Sequence, residues 1–177
     1  MRILALDIAT VTGYALGEAG TIPRSGSVRL KRPDQHADVA AFNMLAFLRD
    51  QFVLDKPDLV VIENFMNPVG HKSAAAIILI IQCFGVAVAV CQAQSIRYEA
   101  ANMQTIRKHF LGQARAKNEE DIKQLVLNRS KLLKYIPADC RDHNRADACA
   151  AFDFASFTYA RVQPKAIVLF GETSNVL

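Results

Sequence analysis

Three carboxylates are spaced in a way that could do chemistry. Asp7 closes the apolar run Ile3-Leu4-Ala5-Leu6, Glu63 closes the run Leu59-Val60-Val61-Ile62, and Asp147 lies among alanines in NRADACAAFDFA. A wholly apolar strand has no obvious reason to end in a charge unless something pairs with it, because an uncompensated buried carboxylate is costly. Three acids that converge repel one another and stay ionised together only with cations between them. Oxygen donors without a Cys or His cluster select magnesium, with manganese as a substitute. Two such ions roughly 4 Å apart activate a water and stabilise a leaving oxygen in phosphodiester hydrolysis. A fourth ligand is expected on the helical face of Asp147, three or four positions earlier, which is Asn144 or His143. Asp142 could reach the site if the chain is still a loop there. Asp153 falls off that face and is expected to be solvated.

The elements that must position these acids follow from pattern. Residues 1–16, MRILALDIATVTGYAL, read as a strand, a tight turn at Ala9 to Gly13, and a returning strand. Residues 21–32 alternate as a third strand. Residues 35–53 carry Val39, Phe42, Leu45, Ala46, Leu48 and Phe52 at helical spacing, with Asp34 as the expected N-cap. After Pro57 comes the short β-branched run that ends at Glu63, then a polar loop to Lys72. An apolar helix over 73–91, a short strand near 96–98, and helices over 102–110, 118–134 and 145–160 complete the order. Leading strands joined by tight turns are antiparallel, whereas strands separated by helices are parallel. The expectation is therefore an α/β fold of ribonuclease H-like type, a five-stranded mixed sheet flanked by helices. Residues 1–160 form one domain, and 161–177 a tail or an extra strand.

Composition narrows the class. With 177 residues, 51% hydrophobic, the chain is one folded domain with a full core. Lys plus Arg exceed Asp plus Glu by 21 to 17, a mild basic excess compatible with a polyanion partner. Cys83, Cys91, Cys140 and Cys149 have no CxxC spacing and read as free thiols in a reducing compartment. With no signal peptide ahead of the first strand, the expected location is cytoplasmic, in a bacterial cell or a phage-infected host. The stretch 74–91 is hydrophobic enough for a membrane but is broken by Gln82 and Gly85. It reads as a buried helix partly covered by a second subunit, not as a span.

At LALDIATVTGYAL, PDLVVIENF, IRKHFLGQARAK and HNRADACAA, in that order, the chain resembles the RuvC family of Holliday junction resolvases, in its shorter phage-borne form. The resemblance implies a magnesium-dependent homodimer that binds a four-way DNA junction and nicks two strands symmetrically. It puts Asp7, Glu63 and Asp147 on the family's catalytic acids, and Asn144 where the family often has Asp or His. It makes Phe65 the aromatic that stacks on a base at the junction centre. It makes Lys72, Arg107, Lys108, Arg115 and Lys117 phosphate contacts, although Ala114 replaces the second glycine of the family's basic loop. The helix over 73–91 falls where the family dimerises. His71 and His109 are expected to be surface or packing residues. The competing readings are a nuclease for flaps or RNA–DNA hybrids, and a non-catalytic junction-binding module. An actin-like ATPase would need a second domain, for which the chain is too short.

Overall fold

A computed structural model describes residues 1–64, 73–113 and 118–163. The element order is β1 (Arg2–Asp7), β2 (Val11–Glu18), β3 (Arg24–Arg29), α1 (Ala37–Leu54), β4 (Leu59–Glu63), α2 (Ala74–Ala93), β5 (Arg97–Ala101), α3 (Met103–Leu111), α4 (Glu119–Leu132) and α5 (His143–Ala160). The five strands form one sheet in the order β3-β2-β1-β4-β5. β1 to β3 pair antiparallel, while β4 lies parallel to β1 and β5 parallel to β4. This is the expected mixed sheet.

Alternation along the two central strands explains why they are wholly apolar. Ile3, Ala5, Leu59 and Val61 pack on one face with residues of α3, α4 and α5. Leu4, Leu6, Val60 and Ile62 pack on the other with α1 and α2. A strand covered on both faces cannot afford polar residues, so its pattern is continuous and not alternating. On α2 the buried stripe Leu79, Ile80, Cys83, Ala87 and Cys91 joins the second of these cores. Ile78 and Ile81 of the same helix stay about half exposed. The helix is long and apolar enough to cross a membrane by composition alone, yet its buried stripe packs against the second sheet face. All four cysteines are free, as expected.

Two boundaries differ from the sequence reading. The third strand is shorter, Arg24–Arg29. The N-cap of α1 is His36, which makes no side-chain cap hydrogen bond, and not Asp34. The apolar run at 166–170 and the rest of the tail lie outside the described residues, apart from 161–163.

One close approach sets the depth of α5. Gly13 pairs with Asp7 across β1 and β2. A Cβ at Gly13 would lie 1.9 Å from the carbonyl oxygen of Asn144. Only glycine lets the first turn of α5 lie on β2 beside the end of β1. The alanines Ala146, Ala148, Ala150 and Ala151, all buried, continue that tight seating along the sheet.

Candidate active site

Parallel pairing of β1 and β4 puts both carboxyl ends on one edge of the sheet. Leu6 pairs with Ile62, so Asp7 and Glu63 are the next residues along on neighbouring strands, about 4.8 Å apart across the sheet. α5 brings Asp147 to the same edge, buried as Asp7 is. The Asp7 carboxyl titrates well above the usual carboxylate range. Burial is the largest cause, followed by the hydrogen bond and charge of Glu63 and the charge of Asp147. The ammonium of Lys123 on α4 opposes them.

A fourth charge completes the cluster. The guanidinium of Arg107, on α3, stands 4.0 Å from Asp147 Oδ2, with both side chains buried. The resemblance makes Arg107 a phosphate contact; in the structure it is 8% exposed, and its guanidinium stands beside Asp147. The α3 helix turns Ile106, Arg107 and Phe110 inward, so a basic residue within IRKHF lands in the interior while Lys108 remains exposed.

The three candidates for a further ligand separate by their partners. Asp142 is the N-cap of α5: its Oδ1 accepts from Arg145 N at 3.1 Å, and its Oδ2 accepts from the Ser27 hydroxyl at 2.6 Å. The helix therefore begins earlier than expected, and Asp142 faces β3, not the acids. Asn144 donates its amide to the Val11 carbonyl at 2.7 Å, which leaves its oxygen as the remaining donor atom toward a cation. His143 lies one turn before Asp147, on the same face, and its Nδ1 is buried with no hydrogen-bond partner among the described residues.

The donor set of three carboxylates with an amide oxygen or imidazole nearby suits a hard divalent cation. A cation there would relieve the repulsion that helps to raise Asp7. Among the described residues, no three Asp, Glu, His or Cys side chains are gathered around one point closely enough to hold a metal ion.

Two residues escaped the sequence reading. Lys123 was not singled out, because nothing in EEDIKQLV says that the first turns of α4 face Asp7. Asp153 was expected to be solvated, but it is buried. It accepts the Tyr135 hydroxyl at 2.6 Å and lies 3.1 Å from His109 Nε2. Burial and this carboxylate push the Tyr135 phenol well up. His109 also meets Phe154 edge-on and Phe157 at a tilt, in keeping with a packing role. Phe65, His71, Lys72, Arg115 and Lys117 lie outside the described residues.

No family model matches the chain, and no curated protein sequence does. Solved structures do match in fold. The RuvC structure from Thermus thermophilus aligns with a TM-score of 0.67 at 17% identity, over 91% of this chain and 96% of that one. T. thermophilus RuvC in complex with a Holliday junction substrate aligns with a TM-score of 0.66 at 17% identity, over 89% and 94%. The yeast mitochondrial Holliday junction resolvase Ydc2 aligns with a TM-score of 0.60 at 11% identity, over 88% of this chain and 77% of that one. The fold is thus the RuvC-like form of the ribonuclease H-like sheet.

Proposed function

We propose that this chain is a Holliday junction resolvase, a structure-selective DNA endonuclease that nicks four-way junctions symmetrically. The observation that carries the reading is that Glu63 and Asp147 both stand near enough to Asp7, at the carboxyl edge of a RuvC-like sheet, to raise its carboxyl, although the three are not drawn in around one point as a bound ion would hold them. The likeness in fold to a RuvC bound to a Holliday junction supports the substrate.

Asp7, Glu63 and Asp147 would hold magnesium, two ions per site with manganese able to substitute, and His143 or the Asn144 oxygen would add a donor. When bound, the ions supply an activated water and stabilise the leaving 3′ oxygen. The chain's own groups prepare that site. Asp7, whose carboxyl is raised by burial and by its acidic neighbours, must ionise before it can serve as an anionic donor. Arg107 holds the Asp147 carboxylate in place and offsets part of its charge. Lys123 lowers the cost of ionising Asp7.

Junction choice would come from a homodimer formed through α2, whose Ile78 and Ile81 are exposed, with two sites set at a fixed spacing. The test of activity is a labelled synthetic four-way junction incubated with Mg²⁺, Mn²⁺ or EDTA and resolved on a denaturing gel. Paired symmetric nicks that need metal and vanish in Asp147→Asn are expected. Tight junction binding with no nicks under any metal would overturn catalysis in favour of a binding module. The commitment of the Asn144 amide to Val11 is the observation that favours this second reading. Preferential cutting of flaps or RNA–DNA hybrids in the same panel would change the substrate and leave the chemistry.

A further inference from the structure

On the α5 side of the sheet, away from the acids, lies a cavity of about 670 Å³ lined by β3, the end of α4 and the first turn of α5. Its walls are largely apolar, with Pro23, Ile136 and Pro137 among them, and three cations ring it: Lys131, Lys134 and Arg145. None of its lining residues is acidic. Arg24 also borders it, but its guanidinium is turned to Gln51, to which it donates, and to the Tyr14 ring.

The cavity is ordered by bonds that leave its charge available. Ser25 Oγ accepts Arg145 Nε at 2.9 Å and donates to the Tyr135 carbonyl at 3.0 Å. This fixes the guanidinium in orientation while it keeps its terminal nitrogens. Among the described residues, Lys131, Lys134 and Arg145 form no salt bridge with a carboxylate. Lys134 adds a cost that packing alone does not explain. It follows the last turn of α4 with φ 59, in the left-handed region where glycine is relaxed. Its amide bonds the Lys131 carbonyl, and the Tyr135 amide bonds the Ser130 carbonyl. That ending works as well with glycine, yet here it carries a charged side chain facing a cavity with two more cations.

The position is informative. Ser27 pairs with Gly13, which pairs with Asp7. Ser25 is two residues further along β3, on the same face. Two strand spacings and one pleat repeat put the cavity about 12 Å from Asp7. Each nucleotide of one strand advances about 3.4 Å along the axis and also winds sideways around it, so this distance spans only about two nucleotides.

We propose that this cavity is a second DNA site, which takes a backbone phosphodiester of the junction arm about two nucleotides from the bond that is cut and seats it on Lys131, Lys134 and Arg145. The inference rests on the junction-cutting reading above and adds an anchor that fixes the register of the arm relative to the acids.

The test is a cycle between one side chain and one phosphate. Junction binding is measured in EDTA for the native chain and Lys134→Gly, on junctions with a single neutral methylphosphonate placed at successive positions from the cut site. Lys134→Gly keeps the helix ending and removes the left-handed strain, so its Tm is expected to equal or exceed that of the native chain while junction affinity falls about threefold to tenfold. Neutralising one phosphate about two nucleotides away should weaken native binding by a similar factor and leave the variant nearly unaffected. Losses that multiply independently at every position, with the junction still bound and cut, would overturn the cavity alone. A native chain that neither binds nor cuts junctions would overturn the cavity and the junction reading together. The double variant Lys131→Ala, Lys134→Gly should reduce the slope of log affinity against log salt by about 1. An unchanged slope counts against the cavity.

Discussion

Arg107 and Asp147 face each other at 4.0 Å in the interior, on two helices that share no sequence neighbourhood. This pair distinguishes a cation that holds the site from one that holds DNA. Arg107→Met leaves the Asp147 charge buried without its counterion, and breaking such pairs costs about 3–5 kcal/mol. The expected outcome is a Tm lower by several degrees and a loss of cleavage of roughly a hundredfold or more. The salt dependence of junction binding should be unchanged, because no phosphate contact is removed. Arg107→Lys is expected to recover stability in part. A flatter salt slope in Arg107→Met would return Arg107 to the DNA surface.

The raised Asp7 carboxyl predicts how stability varies with pH. Its ordinary value is 3.8, and the folded value lies above it. A carboxyl raised on folding binds its proton more tightly in the native state, so its contribution is full below the ordinary value and is lost as pH rises through the folded value. In EDTA, the chain should lose stability as pH rises above about 4 across this window, and Asp7→Asn should flatten that loss. Added Mg²⁺ should restore stability at the upper end, where the acids are ionised. Thermal melts at stepped pH, with and without metal, check all three, and a native profile in EDTA that does not fall in this window would contradict the assignment.

Gly13 controls the seating of α5. Gly13→Ala sets a Cβ against the Asn144 carbonyl, at 1.9 Å in the native backbone. The helix must move away, which carries Asp147 from Asp7. A destabilisation of about 3 kcal/mol or more is expected, and in whatever fraction still folds, cleavage should fall by at least tenfold. Calorimetry and cleavage of the soluble fraction check this. The same substitution at Gly85 of α2, where a Cβ would meet nothing within 4 Å, is the control and should be neutral or stabilising.

The bonds from Tyr135 and His109 to Asp153 tie α3 and the α4–α5 connection to α5. Tyr135→Phe removes one of them and should cost about 1.5–3 kcal/mol, as for a hydrogen bond to a charged group. Because α3 also carries Arg107, a modest fall in cleavage should follow the loss of stability. Urea melts and cleavage rates on the same samples would expose any mismatch between the two.

Exposed Ile78 and Ile81 on α2 predict self-association. Replacing both with Lys should shift the mass measured by light scattering toward a monomer and abolish paired nicking, with the secondary structure retained. An unchanged mass would remove α2 as the interface.

Much of this molecule is legible in its sequence, and the reason is local. β1 and β4 are continuous apolar runs because both faces are covered, and each ends in an acid at the carboxyl edge of the sheet. Gly13 and the alanine run beside Asp147 record a close approach before the partner is known. Side-chain type and period were enough to give a mixed sheet and the parallel relation of β1 to β4, which sets Asp7 and Glu63 at its carboxyl edge, whereas Asp147 reaches them only through the seating of α5. What the tertiary structure decided is where each remaining polar group points. A helix with basic and apolar residues side by side does not say whether Arg107 or Lys108 turns inward. That depended on α3 laying Ile106 and Phe110 against α5. Asp153 looked solvated because the Tyr135 and His109 that satisfy it are distant in sequence, and Asp142 looked like a possible ligand until α5 began early enough to use it as a cap. Lys123 acts on Asp7 only through the docking of α4. Burial pattern is written along one element, whereas the partner of a buried charge comes from another and exists only once the elements have packed.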